Sequence, residues 1–185
     1  MKRKQGALRA CATALLLAQA LVVAPQPLLA ATDNNVRFHG ALVAEPCVVL
    51  PGDEEIPMDF GTIIDKHLYL NTRTQGQAFE IRLAECDLTL GNTVTVMFQG
   101  TENPALKGLL AIDGGSVATG IAIGLETPDA RPLPLNKESG KYRLQKGSSV
   151  IALKAYVQGE PEALSHRSIE RGPFSAVATF TLVYE

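Results

Sequence analysis

The sequence predicts an all-β fold, a sandwich of short strands joined by Greek-key connections. Three observations carry this reading. Apolar and polar residues alternate with a period of two in one run after another, turn-forming residues separate the runs, and no segment past residue 30 shows the spacing of an amphipathic helix.

Residues 1–30 stand apart from that pattern. Lys2, Arg3, Lys4 and Arg9 form a basic head, an apolar run follows from Ala12 to Ala24 with Thr13 and Gln19 as interruptions, and Leu28-Leu29-Ala30-Ala31 closes it. That order predicts a secretory signal peptide, cleaved after Ala30 or, as the alternative, after Ala31. The run is short for a membrane span, and Pro25 and Pro27 would disturb a helix at its end. Cys11 precedes the apolar core instead of ending it, which does not suit a lipid-attachment site.

About 155 residues then remain, a normal size for one domain with its own core. Removing the four basic residues of the signal leaves thirteen against nineteen acidic residues, a net charge near −6. This argues against a nucleic-acid partner, which needs a basic face to neutralise phosphates. Cys47 and Cys86 are an even pair in an exported chain and read as one disulfide formed in an oxidising compartment. Closing the loop between them stabilises the fold by roughly 4 kcal/mol in the chain-entropy model.

The strands follow in order. Phe79, Ile81 and Leu83 share one face and Glu80 and Arg82 the other; Val94, Val96 and Phe98 alternate with Thr93, Thr95 and Met97. Ile121, Ile123 and Leu125 are separated by Ala122 and Gly124, and Ile151, Leu153, Ala155 and Val157 leave Lys154 and Gln158 outward. Turns fall at Pro51-Gly52-Asp53, Gly91-Asn92, Glu102-Asn103-Pro104, Asp113-Gly114-Gly115, Pro128-Asp129 and Gly159-Glu160-Pro161.

Two segments do not suit a self-contained sandwich. From Gly172 to Glu185 the chain reads as one long strand, with Phe174, Ala176, Ala178, Phe180, Leu182 and Tyr184 on one face. A strand placed there needs a partner for its backbone, or it leaves an adhesive edge. Near the other end Val36, Phe38, Gly40 and Leu42 alternate with Arg37, His39 and Ala41, ahead of the point where the disulfide ties the chain down. An apolar strand on a loose arm pairs with its own sheet or with the edge of another molecule, which is β-strand addition.

Several motifs, taken in order, resemble those of the pilins assembled by the bacterial chaperone–usher pathway, the type 1 and P pilin-like family. Gly40 stands seven residues before Cys47; Met58-Asp59-Phe60-Gly61 follows, then Phe79-Glu80-Ile81-Arg82-Leu83-Ala84-Glu85-Cys86, Val94-Thr95-Val96-Met97-Phe98-Gln99-Gly100 and Ala118-Thr119-Gly120-Ile121-Ala122-Ile123. Gly172 and the penultimate Tyr184 complete the set. The resemblance covers essentially the whole chain after the signal.

It implies an incomplete immunoglobulin-like sandwich that lacks its final strand and carries an N-terminal donor-strand extension. Residues 1–30 would be the signal peptide, 31–44 the extension and 45–185 the pilin domain. A periplasmic chaperone would lend the missing strand, and at the outer-membrane usher the arm of a neighbouring subunit would replace it. Val36, Phe38, Gly40 and Leu42 would be the donor residues. Gly172, Phe174, Phe180, Leu182 and Tyr184 would belong to the groove-flanking strand that the chaperone recognises. The chain would then be a structural subunit of a surface fimbria that supports cell adhesion, with no cofactor.

Burying Val36, Phe38 and Leu42 contributes roughly 5–9 kcal/mol as an upper figure, part of it offset by ordering the arm. Gly40 would sit where the donor strand comes closest to the groove wall. The same parity carried backwards meets Asn34 and Thr32, which are polar, so the apolar series begins at Val36.

Catalysis has little support. His39, His67 and His166 are scattered without metal-ligand spacing, Ser165-His166 is a chance neighbour pair, and Gly114-Gly115 with Gly120 and Gly124 makes no phosphate loop. Rod subunit, minor tip adaptor and terminating subunit remain open as placements in the fibre. A sugar-binding adhesin is the reading least favoured, because the chain has no room for a separate lectin domain.

Overall fold

Alternating strands dictate a sheet fold, and two sheets are what the chain builds. A computed structural model describes residues 36–185; the expected signal segment, its cleavage point and residues 31–35 lie outside the described residues. The elements are α1 (Asp65–Asn71), β1 (Gln77–Cys86), β2 (Thr93–Gln99), β3 (Leu110–Ala111), β4 (Ile121–Glu126), β5 (Tyr142–Arg143), β6 (Gly147–Gly159), α2 (Pro161–His166) and β7 (Thr179–Tyr184). One sheet has the order β1-β6-β4-β3 and the other β5-β2-β7, with antiparallel neighbours throughout. Strands far apart in sequence, such as β2 and β7, lie side by side, as Greek-key returns require.

Register matches the alternation. Phe79, Ile81 and Leu83 of β1 stand opposite Leu153, Ile151 and Ser149 of β6, so the apolar parities of both strands share a face. Val94, Val96, Ile81, Ile151, Leu153 and Val157 are fully buried between the sheets. Phe79 of one sheet meets Phe98 of the other edge to face, their centroids 6.2 Å apart, a favoured aromatic geometry. Cys47 and Cys86 are buried and joined as a disulfide. Val48 bridges to Ala84 beside it through two backbone hydrogen bonds of 2.9 and 2.8 Å.

Three features differ from the expectation. First, two helices are present. Each is two turns or less, neither has a side-chain cap at its start, and each buries one residue, Leu68 or Ala163. Helices that short leave no readable 3.6-residue period and draw their stability from packing. Proline at the start of α2 occupies a position where its missing N–H costs nothing.

Second, β4 is buried on both faces. Its outer side is covered by Tyr156 of β6, whose ring lies on Gly124 so closely that a Cβ there would come within 2.2 Å of Tyr156 Cζ. Arg73 stacks its guanidinium 4.1 Å above that ring and donates at 2.7 Å to the buried Glu126 carboxylate. Ala163 and Leu164 of α2 close over Gly120 and Gly159.

Third, the terminal strand is shorter than expected: β7 begins at Thr179, not at Gly172. The preceding residues bond instead to the loop at 113–118, with Asp113 N–H donating to the Ser175 carbonyl at 2.7 Å and Val117 N–H to Pro173 at 2.9 Å. Gly172 passes so near Val117 that a Cβ would lie 2.5 Å from its Cγ1.

Replacing Cys47 and Cys86 together by serine removes the cross-link that ties 47 to 86 across a separation of 39 residues. Urea denaturation of the purified protein is expected to show about 4 kcal/mol of lost stability.

Candidate functional site: an unpaired strand edge

β7 lies at the edge of its sheet, with β2 on one side. Thr93 and Glu185 exchange both backbone hydrogen bonds, at 3.1 and 2.9 Å. In an antiparallel ladder such pairs recur every second residue. Val183, Thr181 and Thr179, opposite Thr95, Met97 and Gln99, therefore also turn their backbone groups toward β2. The N–H and C=O groups of Phe180, Leu182 and Tyr184 consequently point outward. Among the described residues, no hydrogen bond outside the β2 ladder reaches them.

The side chains repeat the message. Tyr184, Leu182 and Phe180 stand opposite Val94, Val96 and Phe98. The β2 members of these rungs are buried, at 0%, 1% and 7% exposure, whereas the β7 members are half-buried. Phe174, Ala176 and Ala178 continue the half-buried series. All six residues of the expected parity share one face, and each remains partly open.

A second half-buried series, Ile56, Met58 and Phe60, alternates with exposed Glu55, Pro57 and Asp59 and packs against the core. At one end the Tyr184 hydroxyl donates to the Cys47 carbonyl at 3.4 Å. At the other, the Phe60 and Phe174 rings lie 6.3 Å apart. These two contacts hold Cys47 beside Tyr184 and Phe60 beside Phe174, one at each end of an apolar seam along 174–184. Past Phe174 the seam opens into a cavity of about 240 Å³ lined by Ile63, Leu68, Ile121, Val157 and Ile169 among others. Arg171 grips Asp65 at its rim with two nitrogens, at 3.0 and 2.7 Å from Oδ2. That ion pair holds the Asp65 carboxyl below its ordinary range.

Sequence reasoning placed the β7 side of this seam but missed its opposite wall. The alternation of Ile56, Met58 and Phe60 was legible, although Met58 and Phe60 had served only as a motif. Of the expected donor residues, Val36, Phe38 and Leu42 are exposed, and Gly40 has open space where a side chain would stand. None of the four lies in a strand of this chain. Among the described residues no group of three His, Cys, Asp or Glu side chains is placed to hold a metal ion, and no helix is long and apolar enough to cross a membrane.

Burial pushes the Tyr184 phenol above its ordinary value of 10.0, with the Glu45 charge adding to the effect. Tyr142 on β5 is raised by burial alone. The folded chain therefore keeps protons that the unfolded chain releases. The contribution of these two phenols is constant below pH 10 and is lost as pH rises beyond it. A spectrophotometric titration near 295 nm is expected to show late-ionising phenols, one of which disappears in Tyr184→Phe.

Comparison with known proteins gives a consistent set of likenesses. The model of the family described as fimbrial protein matches residues 36–185. The fimbrial adapter PapK of Escherichia coli is 33% identical over 83% of this chain and 89% of its own length. The crystal structure of the P pilus rod subunit PapA superposes with a TM-score of 0.66 at 24% identity, covering 76% of this chain and all of that one. A structure of a chaperone–usher pilus superposes at 0.65 with 25% identity, covering 86% of this chain and all of its own.

Proposed function

From the premise that this chain belongs to the fimbrial protein family and is a structural subunit of a chaperone–usher fimbria, exported through the periplasm to the cell surface, we propose that it joins the fibre by donor-strand exchange. The observation that carries the proposal is the outward-facing backbone of Phe180, Leu182 and Tyr184 beside a half-buried apolar seam. A strand laid there gives partners to those groups and covers both walls. Each net backbone hydrogen bond adds about 1 kcal/mol.

The periplasmic chaperone supplies that strand first, recognising the segment that holds Gly172, Phe174, Phe180, Leu182 and Tyr184. At the usher, the arm of a neighbouring subunit takes its place. In turn the arm of this chain, residues 31–44, enters a neighbour's seam with Val36, Phe38 and Leu42 inward and Gly40 at the closest approach. Residues 36–42 in strand geometry span about 20 Å, close to the length of β7. The arm enters antiparallel to β7, the orientation of every other pair in the sandwich and slightly the more stable one. Residues 45–185 are the pilin domain, and residues 1–30 are the signal peptide removed on export.

The role is structural, with no catalytic step assigned to His39, His67 or His166. Likeness to a fimbrial adapter supports placement as a minor adaptor alongside that of a rod subunit. A terminating subunit needs a groove that refuses an arm, and the open seam with its cavity of about 240 Å³ weighs against that role.

Deleting residues 32–44 is expected to abolish the detergent-resistant polymers formed when the protein is co-expressed with its chaperone. Gly40→Leu, which adds bulk at the closest approach, is expected to weaken insertion by about 1–3 kcal/mol. Tyr184→Ala should lower chaperone capture and subunit yield. Polymers formed equally well without the arm would overturn the reading.

A further inference from the structure

The turn Asp87–Leu90 joins β1 to β2, and it is rigid. The Asp87 carboxylate accepts from the Thr89 N–H at 2.9 Å and from the Thr89 hydroxyl at 2.8 Å, while the Leu90 N–H donates to the Asp87 carbonyl at 3.2 Å. The Asp87 N–H donates to the Pro46 carbonyl at 2.7 Å, and Cys86 is bonded to Cys47. The turn is thus fastened to the place where the chain leaves the sandwich for its arm. On this frame Leu88 and Leu90 stand 39% and 52% exposed, and Val48, paired with Ala84, is exposed as well. Two leucines held in water on a braced turn contribute little to this chain's own core.

Chain length says what comes near them. Leu42, the donor residue closest to the domain, is joined to Pro46 by a span of about 14 Å at full extension. Whatever subunit takes Leu42 into its seam is therefore kept within about 14 Å of Pro46, to which this turn is bonded. An arm running antiparallel to the acceptor's β7 leaves the seam at the acceptor's Phe174 end. In this fold that end carries two exposed apolar side chains, Ile64 at the cavity rim and Val117 beside Gly172, 63% and 58% exposed.

We propose that the Asp87–Leu90 turn is a second docking surface of the fibre, which packs Leu88 and Leu90 against the Ile64 and Val117 end of a second copy of this chain, the copy whose seam holds the arm. The inference rests on the donor-strand reading above. The contact is head-to-tail, between different patches of the two copies, so it repeats along a fibre instead of closing into a ring. It is also intramolecular in effect once the arm is seated, so a small apolar area suffices to fix the angle between successive subunits.

Polymers assembled from the full mature chain and the chaperone-bound monomer are compared by hydrogen–deuterium exchange and by dissociation in denaturant. In the polymer, exchange across 87–91 is expected to slow at least tenfold. Leu88→Ser combined with Leu90→Ser, both exposed positions, should still polymerise through the unaltered arm. It should lose that protection and the matching protection at 116–118, and dissociate about tenfold faster. Unchanged exchange at 87–91 in polymers that do form overturns the contact and leaves the donor-strand reading intact. Protection already present in the chaperone complex assigns the turn to the chaperone and also overturns it. Failure of the unaltered chain to polymerise with itself overturns the contact between copies and leaves donor-strand exchange with a different subunit standing.

Discussion

A strand edge whose backbone groups have no partner is an adhesive surface, and the architecture leaves one such row at the margin of one strand. β7 satisfies half of its polar groups on β2 and turns the other half, at Phe180, Leu182 and Tyr184, away from the fold. Among the described residues no strand covers them on that side. The same edge leaves its apolar face only half shielded, so hydrogen-bonding and hydrophobic deficits coincide along one line. A single extended segment laid along that edge would remedy both.

That deficit is tolerable because the rest of the sandwich is tightly determined. The sheet β1-β6-β4-β3 is closed on its inner face by Ile81, Ile151, Leu153 and Val157 and on its outer face by α2, Tyr156 and the Arg73–Glu126 pair. Glycines at 120, 124 and 159 let those covering groups approach where a side chain would collide. The opposite sheet is small and relies on β2, whose Val94 and Val96 reach full burial. Rigidity on one side therefore holds the open seam of the other in shape.

The disulfide sits where the two ends of the problem meet. Cys47 begins the wall opposite β7, accepts the Tyr184 hydroxyl through its carbonyl and, through Cys86, anchors the turn that carries Leu88 and Leu90. The root of the arm, the end of the seam and the braced turn are thus fixed relative to one another within one small region.

The alternation of Phe79, Ile81 and Leu83, of Val94, Val96 and Phe98, and of Phe174 to Tyr184 determined by itself that the chain is β, which faces turn inward and that its last strand wants company. Period two is a local property and is legible residue by residue. Pairing is not local. That β7 joins β2, that Phe60 comes to lie against Phe174, and that both faces of β4 are covered are outcomes of pairing between segments far apart in the chain. The helices Asp65–Asn71 and Pro161–His166 were invisible for the related reason that one or two turns owe their existence to what they pack on. Sequence supplied the strands and the unmet edge; only the tertiary arrangement decided where the opening lies and what lines it, because an unpaired edge is a relation among strands and belongs to none of them alone.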